Sequence, residues 1–233
     1  MNDHRFSEAF FKEGSTLCFD KPLHWTSFDL VNKVRWLIRK TYNIKKIKVG
    51  HAGTLDPLAT GLVIICTGKS TKTIPGLMGQ KKTYTGEITL GSTTPSYDLE
   101  TEIDHTYPTH HITKDAILKA TKAFTGTILQ KPPLFSALKK DGVRLYEYAR
   151  KGEKVDVPSR EVCIEKFDIT HFELPKLNFE VVCSKGTYIR SLAHDFGQAL
   201  NSGAHLSALK RTAIGNYEIE DALSIEAFET LLK

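Results

Sequence analysis

With 233 residues, 40% hydrophobic and 25% charged, the chain can bury a sizeable core and is neither disordered nor fibrous in composition. A formal charge of +5 permits a polyanionic partner without demanding one. Four scattered cysteines without a Cys-x-x-Cys pair and nine histidines without ligand spacing suggest neither a disulfide framework nor a metal site. No run reaches the roughly 18 apolar residues of a membrane span, and Met1 to Gly14 lacks a secretory apolar core, so no membrane association and a cytoplasmic protein are expected.

Thr16 to Asp20 reads as a short strand closed by Lys21-Pro22. Ser27 suits a helix N-cap, and Leu30, Val31, Val34, Leu37 and Ile38 supply a helical apolar stripe. A basic stretch (Arg35, Arg39, Lys40, Lys45, Lys46, Lys48) leads into the glycine-rich turn Gly50 to Gly61, followed by the buried strand Leu62 to Cys66. Lys82 to Gly91 alternates as a strand, with Tyr84, Gly86, Ile88 and Leu90 on one face. Residues 92–111 read as a long loop. Thr113 caps a helix whose inner side carries Ala116, Ile117, Ala120, Ala123 and Phe124.

Residues 126–152 form an excursion from the main body, ending in a short helical piece, Val143 to Lys151. They hold a second basic cluster: Lys139, Lys140, Arg144, Arg150 and Lys151. Glu161 to Glu173 and Leu177 to Ser184 make a hairpin, and Thr187 to Leu200 an amphipathic helix. His205 to Ile219 holds two strands turning at Gly215, and Ser224 caps a last helix. Without a regular βαβ rhythm, an α+β fold with a mixed, mostly antiparallel sheet is expected.

Gly50-His51-Ala52-Gly53-Thr54-Leu55-Asp56-Pro57-Leu58-Ala59-Thr60-Gly61 places a carboxylate and an imidazole in a tight turn ahead of a buried strand. An Asp in such a turn is either a catalytic acid or a structural partner of local amides. Arg190, at the start of a helix, either holds a carboxylate through its planar fork or faces solvent. Tyr84 and Tyr188 either stack on a base or pack in the core. The Gly-Lys-Ser at 68–70 lacks the preceding glycine of a phosphate-binding loop.

The Gly50–Gly61 run closely resembles the catalytic motif of the TruB family, the bacterial tRNA pseudouridine-55 synthases. Further similar segments follow in order: Lys21-Pro22, Lys82-x-Tyr84-x-Gly86, Pro133 to Lys139, Leu145 to Arg150, Cys183 to Arg190, and Gly203-Ala204-His205-Leu206-x-x-Leu209-x-Arg211. The resemblance spans Leu17 to Leu223. The acidic residues of the 92–104 loop match only loosely.

The resemblance implies one pseudouridine synthase catalytic domain over residues 1–233. Its central sheet would be flanked by helices, with a catalytic cleft and a thumb-like insertion at about 126–152 that clamps tRNA. It implies Asp56 as the essential acid, Arg190 as its partner and Tyr84 stacking on the uracil. Tyr188 and Leu209 would line the nucleotide pocket, with Lys21 also at the substrate, and His51 would enter the T loop. The implied reaction isomerises uridine 55 of the tRNA T arm by base flipping. It involves no redox change or phosphoryl transfer, so no cofactor and no metal are expected. No C-terminal PUA domain is expected after the catalytic motifs. An RNA-guided relative would rely on one, so action without guide RNA is expected; a monomer is expected as well. An RNA chaperone would need the basic clusters and His51 but not Asp56.

Overall fold

The apolar run before Cys66 makes the best-buried strand, and the first unit is built around it. A computed structural model describes residues 6–153 and 155–233, which group into two compact units, 1–84 with 210–233 and 85–209. Met1 to Arg5, where the polar N-terminal stretch begins, lie outside the described residues.

The first unit holds α1 (Glu8–Glu13), β1 (Thr16–Lys21), α2 (Ser27–Thr41), β2 (Val49–His51), β3 (Ala59–Thr67) and α3 (Ile74–Gly79). It also holds the start of β4 (Lys82–Leu90), the end of β12 (Ala204–Ile214), β13 (Tyr217–Glu218) and α7 (Ile225–Leu231). β3 starts at Ala59, before the expected Leu62, and is buried along nearly its whole length. β1 pairs antiparallel with it from Thr16–Cys66 to Lys21–Gly61. β2 pairs with it from Val49–Thr67 to His51–Ile65, so the Asp56 turn connects two partners in one sheet. Phe11, Phe19 and Phe228 pack edge to face behind the sheet, with ring centroids 5.1–6.1 Å apart.

The cap of α2 is Thr26, not Ser27. The Thr26 hydroxyl accepts from the Asp29 amide and the Asp29 carboxylate accepts from the Thr26 amide, completing a reciprocal capping box. The Ser27 hydroxyl is committed elsewhere: it accepts from the Leu55 amide at 2.8 Å.

The second unit contains the rest of β4 and β12 together with β5 (Ser92–Thr93), β6 (His105–Thr106), α4 (Lys114–Ala123) and β7 (Gly126–Gln130). β8 (Lys139–Lys140), β9 (Val143–Arg144), α5 (Leu145–Arg150), β10 (Arg160–Glu173), β11 (Lys176–Cys183) and α6 (Ile189–Ala199) complete it. Its strands run in the order β12-β4-β11-β10-β7. β10 forms the expected hairpin with β11 and pairs antiparallel with β7, so the excursion begins as a sheet strand and leaves at Lys131. Its helix starts at Leu145 because Val143 and Arg144 pair with Lys140 and Lys139. Residues 92–111 are not structureless: β5 pairs with β6. On α4, Thr121 is buried while Ala123 is exposed, a correction to the expected inner face.

Phe196 of α6 packs on Phe167 of β10 at 5.2 Å. The Gly86 position in β4 admits no side chain, because an added Cβ would collide with the Ala208 carbonyl oxygen. Pairing is antiparallel for β1–β3, β2–β3, β10–β11, β10–β7 and β12–β13, with isolated parallel bridges at Phe19–Leu223 and Asp98–Leu206. The expected α+β class with a mixed, mostly antiparallel sheet is the one observed.

Candidate active site

Asp56 lies half-buried in the turn between β2 and β3. The turn is held by side chains from distant parts of the chain. Ser27 grips Leu55, the residue before Asp56, from both sides: besides accepting from its amide, the hydroxyl donates to its carbonyl at 3.3 Å. Arg211, on β12 and 1% exposed, donates from Nε to the Leu62 carbonyl at 2.7 Å. Its two terminal nitrogens reach the Thr54 and Gly53 carbonyls at 3.3 and 3.2 Å. The Asp56 carbonyl accepts from the Ala59 amide at 3.0 Å, which closes the turn locally. These bonds satisfy backbone groups that a buried turn would otherwise strand.

Lys21, at the end of β1 and with no exposed surface, donates to the Pro22 and Trp25 carbonyls at 3.0 and 2.6 Å. Burial pulls its ammonium down to about 8; the Asp56 charge opposes this and Arg211 adds to it. His51 is half-buried at the end of β2, and burial, reinforced by Arg211, holds its imidazole below the ordinary histidine range. Tyr84 is 8% exposed, on the buried face of β4.

The second unit contains Arg190, Tyr188 and Leu209. Arg190 sits in the first turn of α6, 3% exposed, so the solvent-facing alternative does not apply. Its Nε lies 3.6 Å from an Asp98 carboxylate oxygen. Its terminal nitrogens donate to the Ser96 carbonyl at 3.2 Å and the Phe135 carbonyl at 2.8 Å. Asp98 is 5% exposed, and its other carboxylate oxygen accepts from the Glu100 amide at 3.0 Å. Phe135 belongs to the excursion, whose root is also held by Ser191 donating to the Lys131 carbonyl at 2.8 Å. Arg190 therefore joins the 96–98 turn to the excursion.

Tyr188, half-buried, has both backbone groups bonded to the Gln130 amide side chain, at 2.7 and 3.0 Å. The Arg160 guanidinium lies 4.7 Å from its ring centre. Leu209 is partly exposed on β12.

Asp98 and Gln130 were not singled out by sequence reasoning, Ser27 was read only as a helix cap, and Arg211 entered only as part of a resembling segment. Asp98 is one of several acidic residues in a loosely matching loop, and local pattern does not distinguish it. Ser27 carried a signal, a polar residue at a helix start, that pointed to the wrong job.

Residues 39–189 match the TruB family pseudouridylate synthase N-terminal domain, and residues 190–233 match the tRNA pseudouridylate synthase B C-terminal domain. These matches, with the α+β fold, define an isomerase of the pseudouridine synthase class. The chain belongs to the TruB family. It is 60% identical over 222 residues to a tRNA pseudouridine synthase B of Flavobacterium johnsoniae, covering 95% of this chain and 97% of that one. It is 56% identical over 218 residues to the Phocaeicola vulgatus protein of the same name, covering 94% and 93%. Among solved structures it is similar to a chain of a Cbf5-Nop10-Gar1 complex, with a TM-score of 0.70 and 29% identity. That likeness covers 94% of this chain but only 54% of the other, so the chain spans about half the length of that relative.

Proposed function

We propose that the protein converts uridine 55 in the T loop of tRNA to pseudouridine, as a cytoplasmic monomer without guide RNA, cofactor or metal. The observation that carries this reading is the Asp56 turn, whose backbone is tied down on both sides of the carboxylate by Ser27 and Arg211. The relatives' name, tRNA pseudouridine synthase B, supports the substrate class.

In this reading the C1′–N1 bond of uridine breaks, the uracil turns, C5 bonds to C1′, C5 loses its proton and N1 gains one. The target base leaves its stack to reach the acid. Asp56 either attacks C1′ or removes the 2′ proton, with Arg190 as its partner. Tyr84 stacks on the detached uracil, Tyr188 and Leu209 line its pocket, and Lys21 lies at the substrate. His51 enters the T loop, and the basic excursion at 126–152 clamps the tRNA. All of it belongs to one catalytic domain, residues 1–233.

The test is incubation with an unmodified tRNA transcript in the presence of a chelator, followed by mapping of pseudouridine. A single modification in the T loop is expected. Asp56→Asn is expected to abolish turnover while leaving tRNA affinity within about threefold. Normal turnover by that variant removes Asp56 from the chemistry, and tight binding without any pseudouridine moves the reading to an RNA chaperone.

A further inference from the structure

We propose that Arg211 is a positioning residue for the isomerisation. In this role it holds the Asp56 carboxylate in its reactive place by tying both limbs of the Asp56 turn to one planar group. The proposal rests on the reading of Asp56 as the catalytic acid.

The geometry is specific to the two limbs. Gly53 and Thr54 precede Asp56 and Leu62 follows it, and the carbonyls of all three converge on the Arg211 guanidinium. Each nitrogen of the fork takes a different carbonyl, so the spacing between limbs is set by the rigid guanidinium plane. The main chain of Arg211 adds a second constraint. Gly61 lies against it with φ of 105°, and a Cβ there would overlap the Arg211 carbonyl oxygen. β12 thus meets the far limb through backbone at Gly61 and through the side chain at Leu62.

A structural role alone would be met by any group that fills the space and donates a hydrogen bond. Positioning asks for more, because the reacting carboxylate sits between the clamped points, and misplacement by about 1 Å costs on the order of 100-fold in rate. Lysine keeps the charge and some bonding capacity but lacks the fork, so it separates the two roles. Burial is the main cause that lowers the proton affinities of His51 and Lys21, and the Arg211 cation adds a smaller contribution to both.

The experiment compares Arg211→Lys, Arg211→Gln and Asp56→Asn with the parent protein, each checked for a cooperative melt. Single-turnover pseudouridine formation and RNA affinity are measured separately on an unmodified T-arm hairpin. For Arg211→Lys the expected result is a rate constant reduced about 10- to 100-fold, with affinity within about threefold and folding retained. Arg211→Gln, which loses both fork and charge, is expected to be slower still. A parental rate in folded Arg211→Lys overturns the proposal. So does a loss of rate matched by an equal loss of affinity, or a variant unfolded at the assay temperature, which assigns Arg211 to fold maintenance. If Asp56→Asn turns over normally, the catalytic reading fails instead. If Asp56→Asn is inactive while Arg211→Lys is not slowed, only the positioning role fails.

Discussion

Burial raises the Asp195 carboxyl from 3.8 to about 6. The folded state therefore holds this proton more tightly than the unfolded chain. Its contribution to stability is fully present below about pH 4, declines as pH rises to about 6, and stays reduced above that. Asp195→Asn is expected to raise Tm by about 2–4 °C near pH 7.5, a screened gain of about 1 kcal/mol, and to leave it unchanged near pH 4. A gain of the same size at both pH values would assign the effect to packing. The Arg190–Asp98 pair behaves differently, because both side chains are buried. Asp98→Ala removes a buried counter-charge of the Arg190 guanidinium, which keeps its bonds to the Ser96 and Phe135 carbonyls, and is expected to cost about 3 kcal/mol in urea denaturation.

Among the elements, α2 has the clearest start signal, the Thr26–Asp29 capping box. Thr26→Ala is expected to cost about 1 kcal/mol, read as a Tm shift of about 2–4 °C. The excursion is anchored at its root, Lys131 and Phe135, through Ser191 and Arg190. Its tip, the Lys139–Arg144 hairpin, is solvent-facing and basic. Limited trypsin digestion is expected to cut first between Lys139 and Lys151, more slowly when tRNA is bound. First cleavage elsewhere would contradict that picture of the tip.

For the whole molecule, the net charge of +5 matters less than its distribution. The stretch before His51 and the excursion tip concentrate lysine and arginine, and a phosphate backbone meeting them releases counterions. Replacing Lys139 and Lys140 by alanine is expected to weaken tRNA binding, most at low salt, and to flatten the log–log salt dependence by about 1–2. An unchanged slope would place the RNA contacts elsewhere. Among the described residues, no helix is long and apolar enough to cross a membrane.

The elements governed by nearest neighbours along the chain were legible from it. β1, the alternating β4, the β10–β11 hairpin, the Thr113 cap of α4 and the turn at Gly215 all lie where periodicity and turn chemistry put them. The acid turn was conspicuous too, because closely spaced glycines around one carboxylate are a local pattern. Only the folded chain decided what holds that turn. Ser27 reaches Leu55 and Arg211 reaches Gly53, Thr54 and Leu62 across long stretches of sequence. The same holds for Asp98, which becomes distinct from its acidic neighbours only when α6 brings Arg190 to it. Propensity and periodicity describe a residue's neighbours within a few positions. A buried polar group is satisfied by whatever donor the tertiary fold delivers, and no local pattern encodes that choice.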